Sequence, residues 1–302
     1  MQETEAERPE AAVEKLPPAC EIHAPHEQSV PFVFNSPHSG RYYPADFLAS
    51  TSLDQHEIRR SEDLLVDQLF APVVELGAPL MSAVYARAYL DVNREPSELD
   101  PKMFDGRLPS YANVRSLRVA GGLGTIPRVV SDAANIYKAP LPIEEGLQRI
   151  ERVYRPDHAT LRRLLAQTHV GFGLAVLVDC HSMPSNIRGG ASRVRPDFVL
   201  GDRFGASCDG RLTRFLREEL TALGYTVHLN RPYAGGYITE YYGRPQRGLH
   251  ALQIEINRAL YLNERTFEKK ASFAVVERHL RTVVGRLFNE LPGMLGGREA
   301  AE

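Results

Sequence analysis

Apolar residues along this chain gather in short runs rich in β-branched and aromatic side chains, separated by stretches where apolar positions recur every three or four residues. Short runs that are apolar at every position read as strands buried on both faces, and the intervening 3.6-residue period reads as covering helix. The pattern predicts strands over Pro31–Asn35, Pro79–Tyr85, Leu174–Asp179, Phe198–Leu200, Thr226–Leu229 and Ala251–Ile256. An amphipathic segment runs from Glu62 to Leu76 with Ser61 as its N-cap. Helices are expected over Ile143–Tyr154, where Ile143, Leu147, Ile150 and Tyr154 share one face, and over Pro156–Thr168 and Gly210–Leu223. A last helix is expected over Glu264–Leu291, with Phe267, Val275, Leu280, Val283, Val284 and Leu287 inward. The alternation implies an α/β fold: a mainly parallel mixed sheet with helices on both faces. Residues 1–27, rich in Glu, Pro and Ala, cannot repay their ordering entropy by burial and read as a tail. Residues 28–292 read as one domain and 293–302 as a C-terminal tail.

Two of the predicted strands end in a histidine within a polar turn: Phe32-Val33-Phe34-Asn35-Ser36-Pro37-His38-Ser39-Gly40 and Val176-Leu177-Val178-Asp179-Cys180-His181-Ser182. Ligands of open α/β sheets collect at the carboxyl ends of the strands, so imidazoles from two strands there point to a metal site. For either histidine alone, a hydrogen bond within its own turn is the competing explanation. A third ligand is needed, and Asp63 in Arg60-Ser61-Glu62-Asp63 is the best placed, with Glu62 as its rival and a helix N-terminal charge as the plain alternative. Two histidines, a carboxylate and an open position form the usual catalytic zinc arrangement. Asp179, two residues before His181, would hold the ring of that ligand or accept backbone N–H groups. Glu255 interrupts the apolar run Leu252-Gln253-Ile254-Glu255-Ile256 at its end. A lone carboxylate there is costly unless it is functional, as a general acid/base, or paired, as with Arg258.

Composition narrows the function further. A 302-residue chain with 43% hydrophobic and 25% charged residues is an ordinary globule with room for a large core. Its formal net charge of −2 offers no general attraction to nucleic acid or to an anionic membrane. The three cysteines form no CxxC pair and no disulfide framework, there is no signal-like N-terminus, and a cytoplasmic location is expected. Gly122-Leu123-Gly124-Thr125-Ile126-Pro127 has proline where a dinucleotide loop needs its third glycine, which excludes that site. Arg94, Arg193, Arg244 and Arg258 lie beside turn or strand-end signals and offer guanidinium forks for a carboxylate. Gly235-Gly236-Tyr237-Ile238-Thr239 reads as a loop able to bring Tyr237 and Thr239 close to a ligand.

Taken in order, Ser36-Pro37-His38-Ser39-Gly40, Glu62-Asp63, Asp91-Val92-Asn93-Arg94, Asp179-Cys180-His181-Ser182-Met183, Asn230-Arg231-Pro232-Tyr233-Ala234-Gly235-Gly236-Tyr237 and Gln253-Ile254-Glu255-Ile256-Asn257-Arg258 resemble the N-formylglutamate amidohydrolase family. The resemblance implies a fold akin to zinc carboxypeptidases and metal-dependent cleavage of a small-molecule N-formyl or N-acyl amino acid. It makes His38, Asp63 and His181 ligands of a zinc or other divalent ion, Glu255 the general acid/base, and Arg94 and Arg258 candidates for the substrate carboxylates. Formylglutamate-degrading members carry an Asp-Thr-Asp-Trp-like segment where this chain has Ser61-Glu62-Asp63-Leu64, which widens the expected substrates to other N-acyl amino acids and acidic peptides.

Overall fold

The computed structural model describes residues 16–130, 134–186 and 195–295. Its strands are β1 (Cys20–His23), β2 (Phe32–Ser36), β3 (Leu80–Ala83), β4 (Phe104–Asp105), β5 (Leu141–Pro142), β6 (Ala175–Met183), β7 (Phe198–Gly201), β8 (Val227–Leu229) and β9 (Leu249–Asn257). Its α-helices are α1 (Ala45–Ser50), α2 (Val66–Phe70), α3 (Leu117–Ala120), α4 (Ile143–Arg149), α5 (Arg155–Phe172), α6 (Gly210–Ala222), α7 (Tyr237–Tyr242) and α8 (Phe273–Leu295). Seven strands form one sheet in the order β1-β3-β2-β6-β9-β7-β8, while β4 and β5 pair separately. The β3-β2-β6-β9 core is parallel, as is β7-β8, and the β1-β3 and β7-β9 pairs are antiparallel. This is the mixed, mainly parallel α/β sheet that the alternating pattern predicts.

Side chains on a strand alternate between faces, and here both sets are apolar. Phe32, Phe34, Val176, Val178, Leu252, Ile254 and Ile256 pack under α2, α6 and α8. Val33, Leu177 and Ala251, from the other set, pack with Leu161 and Leu165 of α5 and Ile238 of α7. That second set changes character near the carboxyl ends of the strands: Asn35 follows Val33, Asp179 and His181 follow Leu177, and Gln253 and Glu255 follow Ala251. The register aligns Asn35 with Asp179, Asp179 with Gln253, and His181 with Glu255. A buried polar row therefore crosses three adjacent strands on the α5/α7 side.

The structure departs from the sequence reading in four places. Cys20–His23, inside the stretch read as a tail, is an edge strand paired residue for residue with β3. Its side chains are mostly exposed, so it is held by backbone hydrogen bonds, which a count of apolar residues does not detect. The segment 62–76 is not one helix: Leu65 adopts φ +65°, and only Val66–Phe70 is α-helical before a 3₁₀ turn at Ala71–Val73. Ser61 ends a preceding 3₁₀ turn and caps no helix, its buried hydroxyl having no partner among the described residues. The two helices predicted around Pro156 are one continuous run in which a π turn at Ile150–Tyr154 joins α4 to α5. Proline removes an N–H and crowds the carbonyl four residues before it, and the wider turn absorbs both effects. The last helix begins at Phe273 rather than Glu264, and continues to Leu295, past the expected domain end.

Candidate metal centre and its cavity

The ends of β2 and β6 bring His38 and His181 together with ring centroids 4.9 Å apart. Asp63 enters from the connection after the Ile58–Ser61 turn, tied down by its own N–H to the His38 carbonyl at 2.9 Å. Its Oδ2 lies 3.3 Å from His38 Nδ1 and 2.9 Å from His181 Nδ1. The other nitrogen of each ring meets a second carboxylate: His38 Nε2 meets Asp91 Oδ1 at 2.7 Å and His181 Nε2 meets Asp179 Oδ2 at 2.9 Å. A carboxylate only accepts, so without an ion each ring donates from both nitrogens; Asp91 and Asp179 would keep the Nε2 protons when an ion takes the Nδ1 lone pairs that face the Asp63 oxygen. All three side chains are buried, and their ligand atoms lie within 4.8 Å of one another. Two imidazoles and a carboxylate, each imidazole backed by a further carboxylate, fit a divalent transition metal such as zinc.

Asp63 is anchored on its far side as well. Its Oδ1 accepts from the Ser182 hydroxyl at 3.0 Å and from Arg258 at 3.1 Å. Arg258, buried, also donates to Ser182 Oγ and to the carbonyls of Arg60 and Glu62. Its guanidinium therefore fixes the loop that carries Asp63, and the residue also borders the cavity beside the triad. Glu62 turns to Tyr43 and Arg59, and of the two acidic neighbours it is Asp63 that faces the histidines.

The triad borders a cavity of about 510 Å³. Arg87 and Arg94 line it from the segment that carries Asp91. Arg87 Nε is fixed by Asp91 Oδ2 at 2.9 Å, while Arg94 donates to the carbonyls of Leu123 and Asn93. Arg60, Arg118 and Arg203 add further cations to the wall. Glu255 lines it too: its Oε1 accepts from Gln253 Nε2 at 2.9 Å, and its Oε2 is buried with no partner among the described residues.

Burial governs the charges, and neighbours decide the outcome. Burial raises the Asp63 and Asp91 carboxyls, yet hydrogen bonds from His181 and His38 hold Asp63 well below the usual range, and Arg87, Arg94 and His38 do the same for Asp91. His181 goes the other way: burial opposes its charge, but Asp179 and Asp63 raise it well above an ordinary imidazole. For Glu255 burial wins, with nearby Asp63 adding to it against the pull of His181, and the carboxyl is pushed up to about 7. Burial also lowers Arg94 to about 10 and raises Tyr233, on the cavity wall, to about 12.

The site thus gathers His38, Asp63, His181, Asp179, Glu255, Arg94 and Arg258. Arg193 lies outside the described residues. Tyr237 and Thr239 sit on α7, and the cavity wall stops at Gly236. Tyr237 stacks on Tyr241, and Thr239 is fully buried beneath Gly235, so neither of the two residues expected to reach a ligand lies on the cavity wall. The sequence gives no role to Arg87, and Asp91, Asn93 and Gln253 appear there only inside the motifs that carry the family resemblance. The first three belong to a connection without periodicity, and Gln253 looked like one more strand residue. The available signal for Gln253 was its position two residues before Glu255, on the same strand face.

Comparison with known proteins is consistent with this geometry. The model of the N-formylglutamate amidohydrolase family matches residues 30–262. An N-formylglutamate deformylase from Pseudomonas aeruginosa is 31% identical over 275 residues, 89% of this chain and 95% of that protein. The deformylase of the same name from Pseudomonas putida is 31% identical over 242 residues, 79% of this chain and 84% of the relative. The crystal structure of N-formylglutamate amidohydrolase from Ralstonia eutropha JMP134 superposes with a TM-score of 0.87 at 34% identity, covering 92% of this chain and 99% of that one.

Proposed function

The chain belongs to the N-formylglutamate amidohydrolase family, whose enzymes hydrolyse amide bonds, and from that premise we propose that it cleaves the N-formyl or N-acyl amide of a small acidic amino acid such as N-formyl-L-glutamate. His38, Asp63 and His181 would hold a divalent metal, zinc in our reading, and the observation that carries this is the pair of Nδ1 atoms converging on one Asp63 oxygen while Asp91 and Asp179 hold the opposite nitrogens. When bound, such an ion polarises a carbonyl and acidifies water. Glu255 takes the proton from the attacking water through its unpartnered Oε2 and returns it to the departing amine. Its raised pKa suits both steps, because the group is a competent base near neutrality and a competent acid once protonated.

Arg87 and Arg94 give the cavity its preference for acidic substrates. Arg87 is anchored through Nε, so its terminal N–H groups are held in place for a carboxylate. The three cysteines are free thiols, as a reducing cytosol would keep them, and among the described residues no helix is long and apolar enough to cross a membrane.

Substrate class is tested by comparing N-formyl-L-glutamate, N-acetyl-L-glutamate, N-formyl-L-glutamine and a short acidic peptide with the purified protein. We expect kcat/KM to be highest for an N-acylated acidic amino acid and to fall when the side-chain carboxylate becomes an amide. Equal rates for the acid and the amide would remove the arginines from recognition, and peptide hydrolysis alone would move the activity to the peptidases.

A further inference from the structure

We propose that Gln253 is a positioning residue for Glu255, with its amide held in one orientation by the backbone N–H of Gly236. The inference rests on the reading of Glu255 as the general base. Gln253 and Glu255 are two residues apart on β9 and so share a face of the sheet, and both are buried. A glutamine amide turned over exchanges its acceptor for its donors, and only one of the two orientations serves a neighbouring carboxylate. Here the choice is made by an obligatory donor: Gly236 N–H donates to Gln253 Oε1 at 2.8 Å. The NH₂ group is then on the side of Glu255 and donates to its Oε1 at 2.9 Å.

The consequence falls on the carboxylate. One Glu255 oxygen is occupied by a fixed donor, which restrains rotation of the group, and the other, Oε2, is buried with no partner among the described residues. An unrestrained carboxylate would spend part of its time presenting neither oxygen in a reactive direction. The Gly236 turn itself is confined, since a β-carbon there would lie 2.4 Å from Asn93 Nδ2 and 2.5 Å from Asn93 Oδ1. Two residues on, Ile238 N–H donates to Asn93 Oδ1 at 2.8 Å. One turn therefore fixes two buried amides, Gln253 beneath the base and Asn93 beside His181.

A merely structural glutamine would affect stability and rate without regard to Glu255, so the test is a double-mutant cycle on the metal-loaded full chain. Gln253→Met keeps length and removes both hydrogen bonds. We expect kcat to fall by roughly 10- to 100-fold, the range for residues that orient a working group through one hydrogen bond, with KM and metal content unchanged. In the Glu255→Gln background the same substitution should cost nothing further. Gln253→Asn, one methylene shorter and unable to span both partners, should repeat the pattern and serves if Gln253→Met folds poorly. An equal loss in both backgrounds, no loss in either, or a loss that follows metal content overturns the role of Gln253 while leaving Glu255 in place. Near-normal turnover by Glu255→Gln alone removes the base itself, and with it this inference.

Discussion

The two imidazoles meet the same acidic partner from two kinds of structure. His181 lies on β6, inside a parallel ladder that runs in unbroken register with β9 from Ala175–Leu249 to Met183–Asn257, and its backing carboxylate Asp179 is on the same strand. His38 lies just beyond β2, in a turn, and its backing carboxylate Asp91 comes from a connection 53 residues away. The strand half is positioned by a repeating backbone ladder. The loop half is positioned by individual contacts: Asp63 N–H on the His38 carbonyl, Asp91 N–H on the Thr125 carbonyl, and Arg258 across the carbonyls of Arg60 and Glu62. Rigidity in the first half is shared among many bonds, and in the second it rests on a few, so the loop half should be the more sensitive to changes outside the ligands.

The largest effect should come from the point where the halves meet. Asp63→Asn leaves the fold but removes the anion that both rings face, so metal content and turnover should both be lost, as measured by elemental analysis and product release. Next, Glu255→Gln should retain metal and lose roughly 10²- to 10⁴-fold in kcat, the range for general acid–base catalysis. A base works as its carboxylate, so the rate of the parent enzyme should rise with pH through a midpoint at or below about 7, because a bound cation favours the charged form. That limb should vanish in the variant.

Removing one backing carboxylate at a time separates the strand half from the loop half. Asp91→Asn and Asp179→Asn should each weaken metal affinity by roughly 10- to 100-fold. We expect Asp91→Asn to be the more damaging, since Asp91 also fixes Arg87 and accepts from the Asn93 N–H. Equal losses in a chelator competition assay would say that the ladder and the loops hold their histidines alike.

The smallest effect concerns stability at the base of α5. Burial raises Asp157 to about 8 and lowers His158 to about 4. Between pH 4 and 6.5 the folded chain keeps a proton on Asp157 that the unfolded chain releases, and refuses one on His158 that the unfolded chain accepts, so the two slopes oppose. From 6.5 to 8 only Asp157 of this pair acts, and its folded-state proton is lost as pH rises, so its contribution to stability declines. Asp157→Asn should remove that decline, on the order of 2 kcal/mol across the window, in melts at pH 6.5 and 8.

The same division separates what the sequence disclosed from what it concealed. His38, His181 and Glu255 stood out because each breaks an apolar run, and a polar residue at a buried strand end needs a reason. The sheet was legible for the same cause, through runs apolar on both alternating sets. Asp91 and Asn93 enter only as part of a family motif and Arg87 not at all, because a connection has no period and its side chains are brought together only by tertiary contacts. For Arg258 the sequence marks a guanidinium at a strand end, and only packing shows that it faces Asp63 and two carbonyls. Cys20–His23 was hidden because pairing to an edge requires backbone and almost no apolar side chain.

On the proposed function, the His38–Asp63–His181 triad holds a metal that the reaction requires. The most direct measurement is formate release from N-formyl-L-glutamate by the full chain after chelator stripping, followed by titration with zinc. We predict no turnover in the stripped protein and recovery that saturates near one zinc per chain. Full turnover by protein shown to be metal-free would contradict the account.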